Sequence, residues 1–320
     1  MASPNSTFTE LVSTTFRKHR KEIADNVSNR NALYKYIVKQ GNYTKDDGGL
    51  TIVTPLDYAE NGTYQRYSDW DTLNIQASDV ISAAEYQWRQ IALNVVSSGR
   101  ELRINSGQSK ITSLAKGKMK NALRTFANNF SSDMYSDGTA TNQINGLQAL
   151  VADAGAGTVG GIDSSVYTFW GNNFFDCSVE SVTSSSTTIE NNMLLPAWLE
   201  VDRGPSDQPD LIVMDSVYYQ YFENSQTSIK RYMKEDSASA GFITLKYKNA
   251  DVLYDGGSGI PASHAYLLNT QYLGLCVHRD ADLEVMDEQR PINQDGVVVP
   301  LIWMGNMTCS NRSQQSVIVE

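Results

Sequence analysis

Sulfur and imidazole chemistry have little to work with in this chain. Its three cysteines, Cys177, Cys276 and Cys309, lie far apart in no CxxC spacing. They read as buried free thiols, not as a disulfide framework or a zinc site. His19, His264 and His278 share no metal-ligand spacing. The patterns HExxH, GxSxG and GKS/T are all missing, which removes the metalloprotease, serine-hydrolase and P-loop signatures. No apolar run approaches the roughly 18 residues of a membrane span. The opening Met1–Pro4 has no signal-peptide core, which points to assembly in a cytosol and makes the glycosylation-like triplets at Asn26, Asn42 and Asn61 coincidental. Lysine is absent from position 46 through position 109.

What is present suits a large folded body. The 320 residues are 41% hydrophobic with 22 glycines, enough for one large domain or two intertwined ones that bury about three quarters of the unfolded surface. The net charge of −10 argues against nucleic-acid binding over the whole surface. The cations are nevertheless clustered. Arg17, Lys18, Arg20 and Lys21 form one group, and Lys110, Lys116, Lys118, Lys120 and Arg124 form another, with no acidic residue between Glu101 and Asp133.

The second group lies on the most regular stretch of the sequence. Ile111, Leu114, Ala115, Met119, Ala122, Leu123, Phe126, Ala127, Phe130 and Met134 recur every three or four residues. That period predicts an amphipathic helix over about 109–135, roughly 39 Å long. Before it, Tyr64–Ile75 and Glu85–Val96 read as the arms of a hairpin with a polar tip at Gln76–Ala84. A phase change near Gln90 signals a bulge or a change of face. A long hairpin beside a long helix suits a protein that reaches toward neighbours.

Elsewhere the punctuation is legible. Thr7 and Glu10 form a capping box for a helix over 7–27, and 26–48 reads as a polar arm. Leu50–Leu56 is a strand closed at Pro55. Leu211–Met214 is a buried strand that delivers Asp215 or Ser216 as the cap of a short helix. Thr187 and Glu190 open another helix, kinked or restarted at Pro196. Strands follow at 242–247, 251–254, 265–268, 272–277, 282–286, 296–307 and 316–319, with Pro300 marking the longest as an edge or bulged strand.

Candidate chemistry is thin. Gly155, Gly157 and Gly160 match GxGxxG, but no helical pattern or βαβ unit follows, so a loop is expected. Asp133–Gly138 imitates a calcium loop, yet Tyr135 stands where a ligand oxygen is required, so a helix-ending turn is expected. Asp69 and Asp71 flank Trp70 without forming a paired acid/base site. The residues call for no catalytic centre, cofactor or metal. A Tyr/Asn-rich acidic chain also admits a carbohydrate-binding or hydrolase domain, which would more often bring a secretion signal and a close carboxylate pair.

The order of these parts resembles the tailed-phage major capsid proteins of the Hong Kong 97 type. The likeness is carried by 67–74, 81–88, 111–118, 137–139, 145–148, 209–214, 300–306 and 309–312 in succession, and covers nearly the whole chain from about residue 40. It implies an α+β, Hong Kong 97-like capsid fold. The parts would be an N-terminal arm (1–45), a peripheral domain (46–61, 97–139 and 276–309) carrying the long spine helix, an extended β-hairpin loop (62–96), and an axial mixed α/β domain (140–275 and 310–320). It implies a structural, non-enzymatic protein that self-assembles into hexamers and pentamers of an icosahedral shell around double-stranded DNA, in a virion assembled in the host cytoplasm. Partners would be the protein itself, a separate scaffolding protein, a portal and decoration proteins. The basic residues Arg17, Lys18, Arg20, Lys21, Lys110, Lys116, Lys118, Lys120 and Arg124 would form an inward face toward DNA. Tyr64, Tyr67, Trp70, Tyr86 and Trp88 would be contacts between subunits, unless some of them only pack across the hairpin. Because the loop has no lysine, the lysine-based isopeptide weld of some relatives is not available. An encapsulin-type cargo shell uses the same fold and is the alternative.

Overall fold

The computed structural model of the protein describes residues 31–104, 108–226, 245–255 and 259–320. Its centre is a five-stranded sheet built on one long strand. That strand, β14 (Gly296–Cys309), alternates intermediate and buried positions over most of its length. It pairs antiparallel with β4 (Arg89–Ser98) along ten positions, from Gly296↔Ser98 to Gly305↔Arg89. On its other side it pairs with β12 (Leu273–His278) and the two-residue β13 (Glu284–Val285). β1 (Tyr43–Asp46) then adds parallel to β12.

Of the edge or bulge that the missing donor of Pro300 suggests, the edge is not found: the strand is central, and on the β13 side the register slips by one residue between Val285↔Leu301 and Gln289↔Val298. The reason is local. The Pro300 carbonyl accepts from the Met286 amide on the β13 side. A strand residue's N–H and C=O share one side, so the missing donor faces the stretch where β13 has already ended.

The long helix, α3 (Gln108–Asp133), follows the short α2 (Gly99–Ile104) and has the predicted face. Its length serves two cores. Ala115, Met119, Ala122 and Leu123 pack on Val95, Val297, Val299 and Leu301 of the central sheet. Phe126, Ala127 and Phe130 continue into the main core. There Phe130 meets Phe126 stacked at 5.3 Å and Trp303 edge-on at 5.1 Å.

A second sheet has six strands in the order β7 (Asn173–Asp176), β15 (Ser316–Val319), β11 (His264–Leu268), β8 (Leu211–Met214), β10 (Ala250–Tyr254) and β9 (Leu245–Tyr247). β8 is buried on both faces, as its continuous apolar run predicts. Leu211 and Val213 face the main core, while Ile212 and Met214 face a separate cluster under α5 (Leu195–Val201) and α6 (Ser216–Ser225). Asp215 caps α6 by accepting from the Tyr218 amide at 2.9 Å. A π-helical turn over Ile189–Leu194 precedes α5, and Pro196 sits in its first turn, where a missing amide costs nothing.

Four further sequence expectations shift. The segment expected to be a loose arm contains α1 (Ala32–Gln40), capped by Asn31, and then β1. Pro55 does not close its strand, because β2 (Thr51–Asp57) runs through it as one side of a two-stranded ribbon with β3 (Ile81–Gln87). Residues Tyr64–Ile75 form no strand; the arms of the hairpin are β2 and β3, and 58–80 joins them. The expected change of face near Gln90 is a change of sheet at Trp88, between β3 and β4. The helix expected at 7–27 and the start of the 242–247 strand lie outside the described residues.

Candidate assembly surfaces

Residues 58–80 rise from the β2–β3 ribbon as a flap held by its own polar side chains. Asn61 Oδ1 accepts from the Thr63 amide, the Thr63 hydroxyl and the Ser78 hydroxyl. Gln65 bridges the two limbs, donating to the Thr72 carbonyl at 3.0 Å and accepting from the Asn74 amide at 2.9 Å. With its polar groups spent internally, the flap leaves its apolar ones in water. Trp70 is 97% exposed, Ile75 91% and Tyr64 82%, and Tyr67 and Leu73 are exposed too. Large aromatic side chains left in solvent on one loop make the flap a candidate interaction surface.

Of the five aromatic contact candidates, Tyr86 is taken up by the core and Trp88 is partly covered. Tyr86 is turned into the main core, its hydroxyl donating to the Cys309 carbonyl at 2.9 Å and accepting from the Cys309 amide. Burial pushes its phenol well above the ordinary value. It ties the ribbon to β14 and is not available to a neighbour. Trp88 is half-buried at the change of sheet, donating to the Gly49 carbonyl and lying edge-on to His278. Alternation gave both residues a common face, and the ribbon folds that face inward.

Of the basic candidates, Lys116, Lys120 and Arg124 are exposed at successive four-residue steps along α3. Lys118 is engaged: its ammonium donates to Glu101 at 2.6 Å and to the Val96 carbonyl at 2.8 Å. That hydrogen bond holds the Glu101 carboxyl below its usual range. Lys110 lies within α3, but its side chain is outside the described set, as are Arg17, Lys18, Arg20 and Lys21.

A groove of about 980 Å³ runs between the flank of α3 and the edge of β4. Sequence reading missed it, because the residues on its two walls are separated by a change of chain direction and have no shared pattern. It also missed Leu73 and Ile75 in the flap, where alternation over three residues is too short to stand out.

The chemistry candidates resolve as structure. Gly155–Gly160 leads into the small hairpin β5 (Thr158–Val159) and β6 (Ile162–Asp163), which docks on the ribbon through the Gly160 carbonyl and the Glu85 amide. Gly160 has φ +59°, and a Cβ there would lie 2.7 Å from Ala84, so the glycine serves close packing. Asp133–Gly138 ends α3 in a turn, with Asp137 accepting from Thr139. The three cysteines are free and buried, and burial pushes Cys309 up to about 12. Among the described residues, no three His, Cys, Asp or Glu side chains converge as a metal set, and no helix is long and apolar enough to cross a membrane.

No protein-family model matches the sequence, and no curated protein matches it either. Solved structures do. The cyanophage A-1(L) capsid asymmetric unit is similar at 14% identity and TM-score 0.59, over 88% of this chain and 92% of that one. The capsid of Myoviridae phage XM1 gives 11% and 0.52, over 88% and 90%. The holo-SrpI encapsulin complex from Synechococcus elongatus PCC 7942 gives 9% and 0.50, over 89% and 86%. The chain therefore shares its mixed α/β fold with these phage capsid proteins.

Proposed function

We propose that this protein is a major capsid protein, the repeated unit of a shell around phage double-stranded DNA. The observation that carries this reading is the flap: a self-braced projection of exposed aromatic residues on a body whose fold is shared with phage capsid subunits. Repetition supplies the strength, since weak contacts multiply around closed symmetry. The finer assignment follows the Hong Kong 97 arrangement. α3 is the spine helix of a peripheral domain (46–61, 97–139 and 276–309) that also takes in β4, the six-stranded sheet belongs to an axial domain (140–275 and 310–320), the part of 62–96 that precedes β4 is the extended loop, and 1–45 is the N-terminal arm. Tyr64, Tyr67 and Trp70 anchor the loop on a neighbour. Lys116, Lys120 and Arg124 face the packaged DNA without reading sequence. The role is structural, not enzymatic. Hexamers and pentamers assemble in the host cytoplasm with a separate scaffolding protein, a portal and decoration proteins, and end in the virion.

Electron micrographs of the purified protein, alone and with its scaffold, test this. Capsomers and uniform shells are expected, and a species that stays single at high concentration defeats the reading. Replacing Tyr64, Tyr67 and Trp70 together by alanine leaves the thermal midpoint of the free subunit unchanged and lowers shell yield. Denaturing gels of mature shells show single chains, since the loop has no lysine to weld; a covalent ladder contradicts this. Shells that enclose protein cargo in place of DNA move the assignment to an encapsulin.

A further inference from the structure

β4 has one unused edge. Its odd-numbered residues, Ile91 through Ser97, pair with β14, so the amides and carbonyls of Gln90, Ala92, Asn94 and Val96 point the other way. Among the described residues no strand pairs there. At the upper end the Val96 carbonyl is capped by Lys118. Below it the edge lies open along the groove whose far wall is α3, formed there by Leu114, Gly117, Asn121 and Thr125. Gly117 has nothing within 4 Å of where its Cβ would be, which leaves side-chain room over the open edge. An unpaired edge beside a shaped groove is what an added strand requires: main-chain bonds for affinity and a pocket for alternate side chains.

The flap holds a strand of the complementary kind. Residues 71–80 carry no helix, turn or strand pairing. One side of the run is spoken for, because Thr72 C=O and Asn74 N–H bond to Gln65. The main-chain groups of Leu73 and Ile75 therefore face outward, and both side chains are exposed. Charge fits as well. The flap bears Glu60, Asp69, Asp71 and Asp79 against Arg66, while α3 has no acidic residue before its last, Asp133, and Lys118, which is paired with Glu101, lines the groove.

Building on the capsid reading, we infer that residues 72–76 of one copy add as a strand to the β4 edge of the next copy, alongside α3. The strand runs parallel to β4. Only in that sense do Leu73 and Ile75, which make the bonds, stand beside Leu93 and Val95 and point into the groove.

The test uses full-length protein. Asn94→Pro deletes one outward donor and leaves the β14 pairing intact. Leu73→Asp with Ile75→Asp spoils the other side. Each raises the concentration needed for assembly by on the order of tenfold or more, since every copy repeats the lost contact, while circular dichroism of the free subunit stays that of wild type. Gln76→Cys chains mixed with Ala92→Cys, Asn94→Cys or Val96→Cys chains give disulfides between isotopically distinct copies, the native thiols being buried. Wild-type assembly by Asn94→Pro overturns the inference, as does a disulfide found only within one chain, or occupation of the edge by residues 1–30. If wild-type protein itself never assembles, the capsid reading has failed first.

Discussion

Arg312 is the most consequential single side chain outside the flap. It is fully buried, and its guanidinium fans out to three neutral acceptors: the Leu150 carbonyl at 2.7 Å, the Trp170 carbonyl at 3.0 Å and Asn172 Oδ1 at 2.8 Å. Burial lowers its proton affinity, but an arginine stays charged at any physiological pH. The three acceptors lie on two segments, the end of α4 (Leu147–Leu150) and the 170–172 stretch just before β7, so this one residue ties α4 to the six-stranded sheet. Arg312→Ala leaves a cavity and the Leu150 and Trp170 carbonyls unpaired, while Asn172 Oδ1 keeps the Ala152 amide, a loss of more than about 3 kcal/mol. Arg312→Lys recovers little, because an ammonium cannot span a planar fork. Urea unfolding midpoints of the free subunit decide this; a small shift for Arg312→Ala shows that water replaces the fork. The residue gave no sequence signal. A lone arginine in a polar C-terminal turn looks solvated until the fold surrounds it.

At the scale of elements, α3 and β14 carry the fold between them. The helix was legible because its apolar positions repeat over seven turns, so no single exception weakens the pattern. Its energetic centre is Phe130, packed against Phe126, Trp303 and Tyr34. Phe130→Ala costs about 3–5 kcal/mol, read as a lower thermal midpoint of the free subunit. Lys116→Gln, by contrast, changes little, since its side chain is exposed. β14 was harder to place. Its alternation was plain, yet a proline suggested an edge or a bulge, and only the early end of β13 explains how a central strand accommodates it. Strands β8 and β10–β12 fell near their expected positions because turns and apolar runs bound them. β2 did as well, at Thr51–Asp57 against an expected Leu50–Leu56, but its place in the hairpin did not: aromatic residues in 64–75 imitate the arm that β2 forms with β3.

At the scale of the molecule, tyrosine burial sets a pH limit. Tyr34 is pushed up to about 12, by burial first and then by Asp282. Tyr86, Tyr218 and Tyr266 go higher still and Tyr135 is raised well above its ordinary value, each mainly through burial. A group whose folded value is raised contributes stability that is complete below its unfolded value, about 10 for tyrosine. That stability is lost as pH rises through the folded value. The subunit therefore keeps its fold to about pH 10 and unfolds cooperatively above it, with tyrosinate absorbance and far-ultraviolet dichroism changing together. Stepwise tyrosine ionisation with the fold intact contradicts this.

The sequence by itself determined what periodicity and spacing can carry. It gave a helix over about 109–135, found at 108–133, with its buried stripe, the buried strand ending in the Asp215 cap, and a loop without lysine. It also gave the asymmetry of charge along the chain. The tertiary structure alone decided which aromatic residues are free. Tyr64 and Tyr86 look alike in the sequence, and one stands in water while the other is sealed beneath β14. It alone decided which edge of β4 is open, because its partner β14 arrives some two hundred residues later. The physical reason is that alternation fixes the face of a strand, whereas its neighbours are chosen by contacts between distant parts of the chain.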